Sequence, residues 1–154
     1  MARRRIHGSA AGVLSVDERL LDAVDALYGP LDDPRRIDQL AAGLETLHRG
    51  LTGQRNRFVK KPYLRSSQLL SAYGSYIVCA QAPKLSPVLN RLQLPSGRPV
   101  RILELGCGPG TGVAGVGLWA TDRGLQIEHL ATDRVPEALE ATESLAKTLG
   151  LTGV

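Results

Sequence analysis

The stretch that most constrains this chain is Val100 to Gly112, VRILELGCGPGTG. A short apolar run ends in an acidic residue, Glu104, and passes into a loop with glycines at 106, 108, 110 and 112. Glycines at that spacing let backbone N–H groups approach a ligand closely, because no Cβ intervenes and positive φ carries no steric cost. A helix starting directly after the loop would turn its positive end to the same place. Strand, glycine loop and helix in that order predict a site for a nucleotide-type cofactor at the C-terminal end of the strand.

The surrounding pattern extends the unit. Thr111 to Ala120 reads as a small-residue helix ending near Trp119, and Gly124 introduces a second strand, Leu125 to Thr132, followed by Asp133. Pro136 to Leu149 is amphipathic through Leu139, Leu145 and Leu149, with Gly150 as its C-cap. A βαβα series of this kind predicts a parallel α/β sheet.

Upstream, the pattern is helical. Ser15 and Glu18 have the spacing of a capping box, and Val16, Leu20, Leu21, Val24, Leu27 and Tyr28 then share a face until Gly29-Pro30. Asp33-Pro34 reads as an N-cap with proline at the first helical position. Ile37, Leu40, Ala41, Leu44, Leu47 and Leu51 make the next stripe, closed by Gly50 and Gly53. After a basic connector, Arg55 to Lys61, a third helix is expected over 66–81, burying Leu69, Leu70, Tyr73, Tyr76, Ile77 and Ala80. Pro83 and Pro87 predict a break, then a short helix from Pro87 to Leu92. The turn cluster Pro95 to Pro99 marks a boundary. Three parts follow: a flexible basic tail over 1–14, a helical region over 15–94, and an α/β unit over 99–154.

Composition sets limits. In 154 residues there are 9 prolines, 17 glycines and only two cysteines, Cys79 and Cys107, too few for a disulfide framework or a four-cysteine metal site. A reducing, cytoplasmic setting fits. His7, His48 and His129 lack metal-ligand spacing, so no metal site is assigned. No apolar run approaches the ~20 residues that span a bilayer. The net charge of +4 is concentrated before residue 66, in Arg3 to Arg5, Arg35, Arg36 and Arg49 through Arg65. It points to an anionic partner such as RNA, or to a solvated basic surface. An arginine-rich, acid-poor start is also compatible with a transit peptide.

ILELGCGPGTG resembles the first motif of the class I S-adenosylmethionine-dependent methyltransferases, with Glu104, Gly106, Gly108 and Gly110 at all four motif positions. The resemblance implies a Rossmann-like sheet and S-adenosylmethionine as cofactor. Its methionine part would be wrapped by the backbone of Gly106, Cys107, Gly108, Pro109 and Gly110. Glu104 would lie beneath, orienting the loop or the amino group, and Asp133 would hold the ribose hydroxyls. A carboxylate suits that role because it can accept from two vicinal hydroxyls at once. More narrowly, LTGQRNRFVKKPYL, SAYGSYIV, GPGTG and TDR-x-P resemble the mitochondrial and bacterial ribosomal small-subunit methyltransferase-like family. That likeness implies RNA or the small ribosomal subunit as partner.

The sheet implied by the resemblance has seven strands, and two are expected here. The residues that would face a methyl acceptor have no sequence to occupy, so no catalytic residue is nominated. The chain reads as the first half of a methyltransferase domain, inactive alone and open to a complementing chain along its sheet. Two other functions stay in view. One is a ribosome-assembly or RNA-binding factor that keeps the fold without catalysis. The other is an NAD(P)-dependent enzyme, since Gly110, Gly112 and Gly115 also spell a dinucleotide fingerprint. That fingerprint begins five residues after Leu105, whereas it should open at the strand end, and it gives Glu104 no role.

Overall fold

The computed structural model describes residues 16–30, 32–53, 58, 62–94 and 97–154. The predicted tail, Ser15, most of the basic connector, Pro95 and Ser96 lie outside the described residues. The fold is mixed α/β and mostly helical, with one two-stranded parallel sheet. Among the described residues no helix is long and apolar enough to cross a membrane.

Helix α1 (Glu18–Tyr28) is capped by Asp17, whose carboxylate accepts from the Arg19 amide at 2.9 Å, so the expected Ser15 cap is corrected by two positions. The same carboxylate forks onto the Arg19 guanidinium, which reaches on to Asp122 at 2.8 Å. Gly29, at φ +90°, ends the helix as expected. Helix α2 (Pro34–Thr52) starts on Asp33 and Pro34 as the sequence predicts, and ends at Gly53. Gly50 is not a terminator. It lies inside α2, buried against the ring of Phe58.

The face of α2 is narrower than its apolar stripe. Gly43, Leu47 and Gly50 are buried, while Ile37 is 50% exposed. A Cβ at Gly43 would come within 2.7 Å of the Ala72 Cβ, so α2 makes its close approach to the next helix at this glycine.

A 3₁₀ turn (Tyr63–Arg65) leads to α3 (Ser67–Ala72), capped by Ser66. The expected third helix is present, but its middle is a π-helical segment, Tyr73–Val78, before a last α turn, Cys79–Gln81. The wider turn re-aims the side chains that follow. Ala72, Gly74, Ser75, Val78 and Cys79 are the buried positions; of the predicted set, Leu70 and Tyr73 pack half-buried on the core, and Tyr76 is 60% exposed. Gly74 is needed there because a Cβ would overlap the Tyr28 ring. The predicted break at Pro83 is absent. A 3₁₀ turn, Ala82–Lys84, carries the chain into α4 (Leu85–Leu89), which replaces the helix expected over Pro87 to Leu92. Both prolines fall in first turns, where the amide has no intrahelical partner to lose.

The second half follows its pattern closely. Strand β1 is Val100–Leu105, α5 is Thr111–Asp122, β2 is Ile127–Thr132 and α6 is Pro136–Thr148. The strands pair in parallel from Val100 opposite Ile127 to Leu105 opposite Thr132. Gly150, at φ +65°, closes α6: its amide bonds to Lys147 and that of Leu151 to Ala146, the paired bonds of a Schellman end.

Helix α5 is buried from Val113 to Ala120, on every side, because it lies between the sheet and the helical layer. Against the sheet, Trp119 packs with Ile127, Val100 and Ile102, and its indole N–H donates to Asn90 at 2.9 Å. Against the helices, Ala114 and Leu118 join Leu20, Ala23 and Val24 of α1, Val78, Cys79 and Ala82, and Leu145 of α6. One core thus runs across the predicted boundary. The opposite face of the sheet is open, with Leu103, Leu105 and Leu130 at 61%, 77% and 65% exposed.

Leu20 is fully buried in that shared core. Leu20→Ala should cost about 2–5 kcal/mol, the usual range for such a truncation. In urea, Trp119 fluorescence and far-UV circular dichroism should then shift together to one lower midpoint. Separate midpoints would mean that the helical layer and the α/β unit unfold independently.

Candidate functional site

Parallel pairing brings the two strand ends side by side, so the loop after β1 and the residue after β2 meet. The amides of Gly106 and Cys107 both donate to the Thr132 carbonyl, at 2.7 and 2.9 Å. One residue further along, the Gly108 amide donates to Asp133 Oδ2 at 2.9 Å. The other oxygen, Oδ1, accepts from the Val135 amide at 2.9 Å, just ahead of α6. Asp133 therefore fastens the glycine loop to the start of the second helix with one oxygen for each. Each carboxylate oxygen keeps further lone-pair capacity for a ligand hydroxyl.

The loop glycines divide by what surrounds them. Gly106, Gly108 and Gly110 all have positive φ, at +78°, +56° and +92°. A Cβ at Gly106 would meet nothing within 4 Å, and one at Gly108 only the tip of Leu64 at 3.9 Å. These two positions face open space. Gly110 instead packs against α6, with Leu145 and Thr142 3.3–3.4 Å from where its Cβ would lie. Its left-handed backbone forms the N-cap of α5, and its carbonyl receives the Ala114 amide at 2.9 Å. Gly112 faces the Glu104 carboxylate, which a Cβ there would overlap. Pro109 and Cys107 are buried inside the turn.

Glu104, on the covered face of β1, lies at the start of α5 and accepts from the Gly112 amide. Its Oε2 is 3.1 Å from Nε2 of His129, an ion-pair distance at which the ring N–H is poorly aligned for a hydrogen bond. Burial pushes the Glu104 carboxyl above the usual range, with His129 and the Gly112 amide acting in opposition. The His129 side chain is 1% exposed, and neither ring nitrogen has an aligned hydrogen-bond partner.

Two contributors were not anticipated from sequence. Thr142 is buried and donates from its hydroxyl to the Gly108 carbonyl at 2.7 Å. Its signal was weak: a threonine on the same helical face as Ala138 and Leu145. The helical region also reaches the site. Leu64 packs with Val135 and Ala138, and the phenols of Tyr63 and Tyr73 lie near enough to Asp133 that its charge adds to burial in raising them. Cys107 is buried and its thiol held upward by desolvation, the state of a packing cysteine. Cys79 is similar, pushed up to about 11 by burial.

The chain matches no family model, no curated protein and no solved structure.

Two measurements test this geometry. Asp133→Ala removes the acceptor of both the Gly108 and the Val135 amides, and such losses cost about 1–3 kcal/mol. Hydrogen exchange should accelerate at residues 106–110 and 133–136 and stay unchanged in α1. The second concerns pH. A carboxyl raised in the fold stabilises it below the ordinary value of 4.5 and loses that contribution as pH rises through the raised value. From pH 4.5 towards neutrality, Glu104→Gln should therefore gain stability relative to the native protein in urea titrations. An unchanged difference across that window would show that Glu104 is not desolvated.

Proposed function

We propose that the loop from Gly106 to Gly110, with Glu104 and Asp133, binds S-adenosylmethionine, and that the protein belongs to a methyl-transfer system acting on RNA in the small ribosomal subunit. The observation that carries this reading is the bond from the Gly108 amide to Asp133. It puts a carboxylate suited to a ribose beside a loop whose Gly106 and Gly108 face open space. Glu104, half-buried behind the loop, supplies a negative charge for the cofactor's ammonium group. Asp133 would hold the ribose hydroxyls, and the backbone of Gly106 to Gly110 the methionine part. When bound, the cofactor supplies an electrophilic methyl group on sulfur. The chain's own part is to orient it and keep its charge matched, and no residue here is assigned to the acceptor.

The dinucleotide alternative fits the same residues less well. Gly112, which that pattern would leave open to a pyrophosphate, is filled by the Glu104 carboxylate. A second anion there would meet like charge. Gly115 is taken up by packing on Ala82 and Leu85, with the Ala82 carbonyl 2.6 Å from where its Cβ would lie. The excess of basic residues, +4 over the whole chain, supports an RNA partner.

Calorimetry with the purified chain tests the reading. S-adenosylmethionine should bind, and NADH should not. Asp133→Ala should weaken binding by roughly 10–100-fold, the loss of one or two charge-assisted hydrogen bonds. Transfer of labelled methyl to small-subunit rRNA in the presence of the remaining cellular components would establish the activity. RNA binding that persists with no cofactor binding would favour the non-catalytic assembly factor. Tighter binding of NADH than of S-adenosylmethionine would overturn the proposal.

A further inference from the structure

We propose that Glu104 and His129 form one proton-linked charge site, in which docking of a cationic ligand group at Glu104 releases a proton from the pair. The inference rests on the cofactor site proposed above and adds a ligand-charge requirement to it.

The geometry isolates the pair. His129 lies on the covered face of β2, its side chain 1% exposed, with Nε2 3.1 Å from Glu104 Oε2. Both ring nitrogens and Oε2 are buried without an aligned hydrogen-bond partner. Glu104 is held on its other side by the Gly112 amide at the start of α5. An orphaned imidazole beside an orphaned carboxylate oxygen is costly unless the two share charge. With one titrating proton, on either ring or carboxyl, the pair is neutral. Without it the pair carries a single negative charge next to the glycine loop.

The other charged groups nearby do not replace that balance. Asp133 and the Cys107 thiol lie on the loop side, and Asp133 is engaged by two amides. Arg101 and Glu128 pair with each other at 2.8 Å from alternate strand positions, on the open face. From the segment after α6, the Gly153 carbonyl accepts from the backbone amide of His129, not from its ring. On α5, Thr111 adds an uncharged buried hydroxyl. A second positive charge arriving at Glu104 therefore makes the shared proton redundant, and it leaves to solvent. No other bond is made or broken.

The experiment has a ligand-free arm and a ligand arm. In the ligand-free protein, the Glu104 side-chain carboxyl carbon is followed from pH 4 to 8 by NMR. His129→Asn should move the Glu104 midpoint to higher pH, because the carboxylate loses the ring that opposes the effect of burial. An unmoved midpoint overturns the proposal. In the ligand arm, S-adenosylmethionine binding is measured by calorimetry at pH 5.5 and 7.0 in buffers of different ionisation enthalpy. Affinity should rise with pH by up to tenfold per unit, with as much as one proton released per ligand at the lower pH. Methylthioadenosine, which lacks the ammonium group, should release none. His129→Asn and His129→Gln should each move the proton release to a different pH window, because the proton then resides on Glu104 alone. Binding without proton release overturns this inference and leaves the cofactor site standing. Failure of the wild-type chain to bind overturns the cofactor site and the ligand linkage with it, while the NMR arm separately decides whether the pair shares a proton.

Discussion

Parallel strands cannot be joined by a tight turn. Once β1 and β2 pair in parallel, the chain must leave the end of β1, travel back and re-enter at the start of β2. That single requirement organises the α/β half. It makes α5 the crossover and puts the glycine loop at one strand end. It also delivers Asp133 to the neighbouring strand end, in register, since Leu105 lies opposite Thr132. The meeting of Gly108 and Asp133, 25 positions apart in sequence, follows from the strand pairing and needs no long-range contact of its own.

The crossover helix is also where the two halves join. A helix that merely covered a sheet would show one apolar face, but α5 is apolar and small-residued throughout, and buried from Val113 to Ala120. Its glycines permit the close approach: Gly115 lies on the Ala82 carbonyl and Gly117 on Leu151. The helical layer therefore contributes to the stability of the loop region as well as to its walls. Through Leu64, Tyr63 and Tyr73 it approaches Asp133 from the side opposite the sheet. The described helical layer and the glycine loop are thus parts of one packed unit.

Local signals carried the sequence reading where they were strong and short in range. Asp33-Pro34 starts α2, Gly29 ends α1, and Val100 to Leu105 is the strand that a short apolar run ahead of a glycine loop predicts. Misses arose where packing chose between equivalent local options. Asp17 displaced Ser15 because its carboxylate also fixes Arg19, which reaches Asp122 on α5. The π-helical segment is invisible to a 3.6-residue period, so Tyr76, predicted as buried, is exposed, while Tyr73 stays on the core side. Small residues hid the face of α2, because an apolar count gives Gly43 and Gly50 no weight although one meets the neighbouring helix and the other the Phe58 ring. In the site, residue identity was legible but partnership was not. Glu104 and Asp133 stood out by their positions after apolar runs. Thr142 and His129 acquire their roles only from the fold, one through the Gly108 carbonyl and the other through Glu104.

A glycine-rich loop invites the conclusion that every glycine serves the ligand, and the surroundings here argue otherwise. Of the glycines from 106 to 117, only Gly106 and Gly108 look onto open space. Gly110 and Gly112 yield room to α6 and to Glu104, and Gly115 and Gly117 to neighbouring chain segments. Substitution at the first pair would fill open space beside the loop, and at the others it would disturb the packing that holds Glu104 and the N-terminus of α5 in place. The open part of the motif is therefore narrow, two glycines between two carboxylates. Those carboxylates are held differently. Asp133 is anchored by two backbone amides, a fixed arrangement, whereas Glu104 has one amide and a buried imidazole that can change charge. The first is suited to neutral hydroxyls, whose binding leaves the local charge unaltered, and the second to a group that brings a charge of its own.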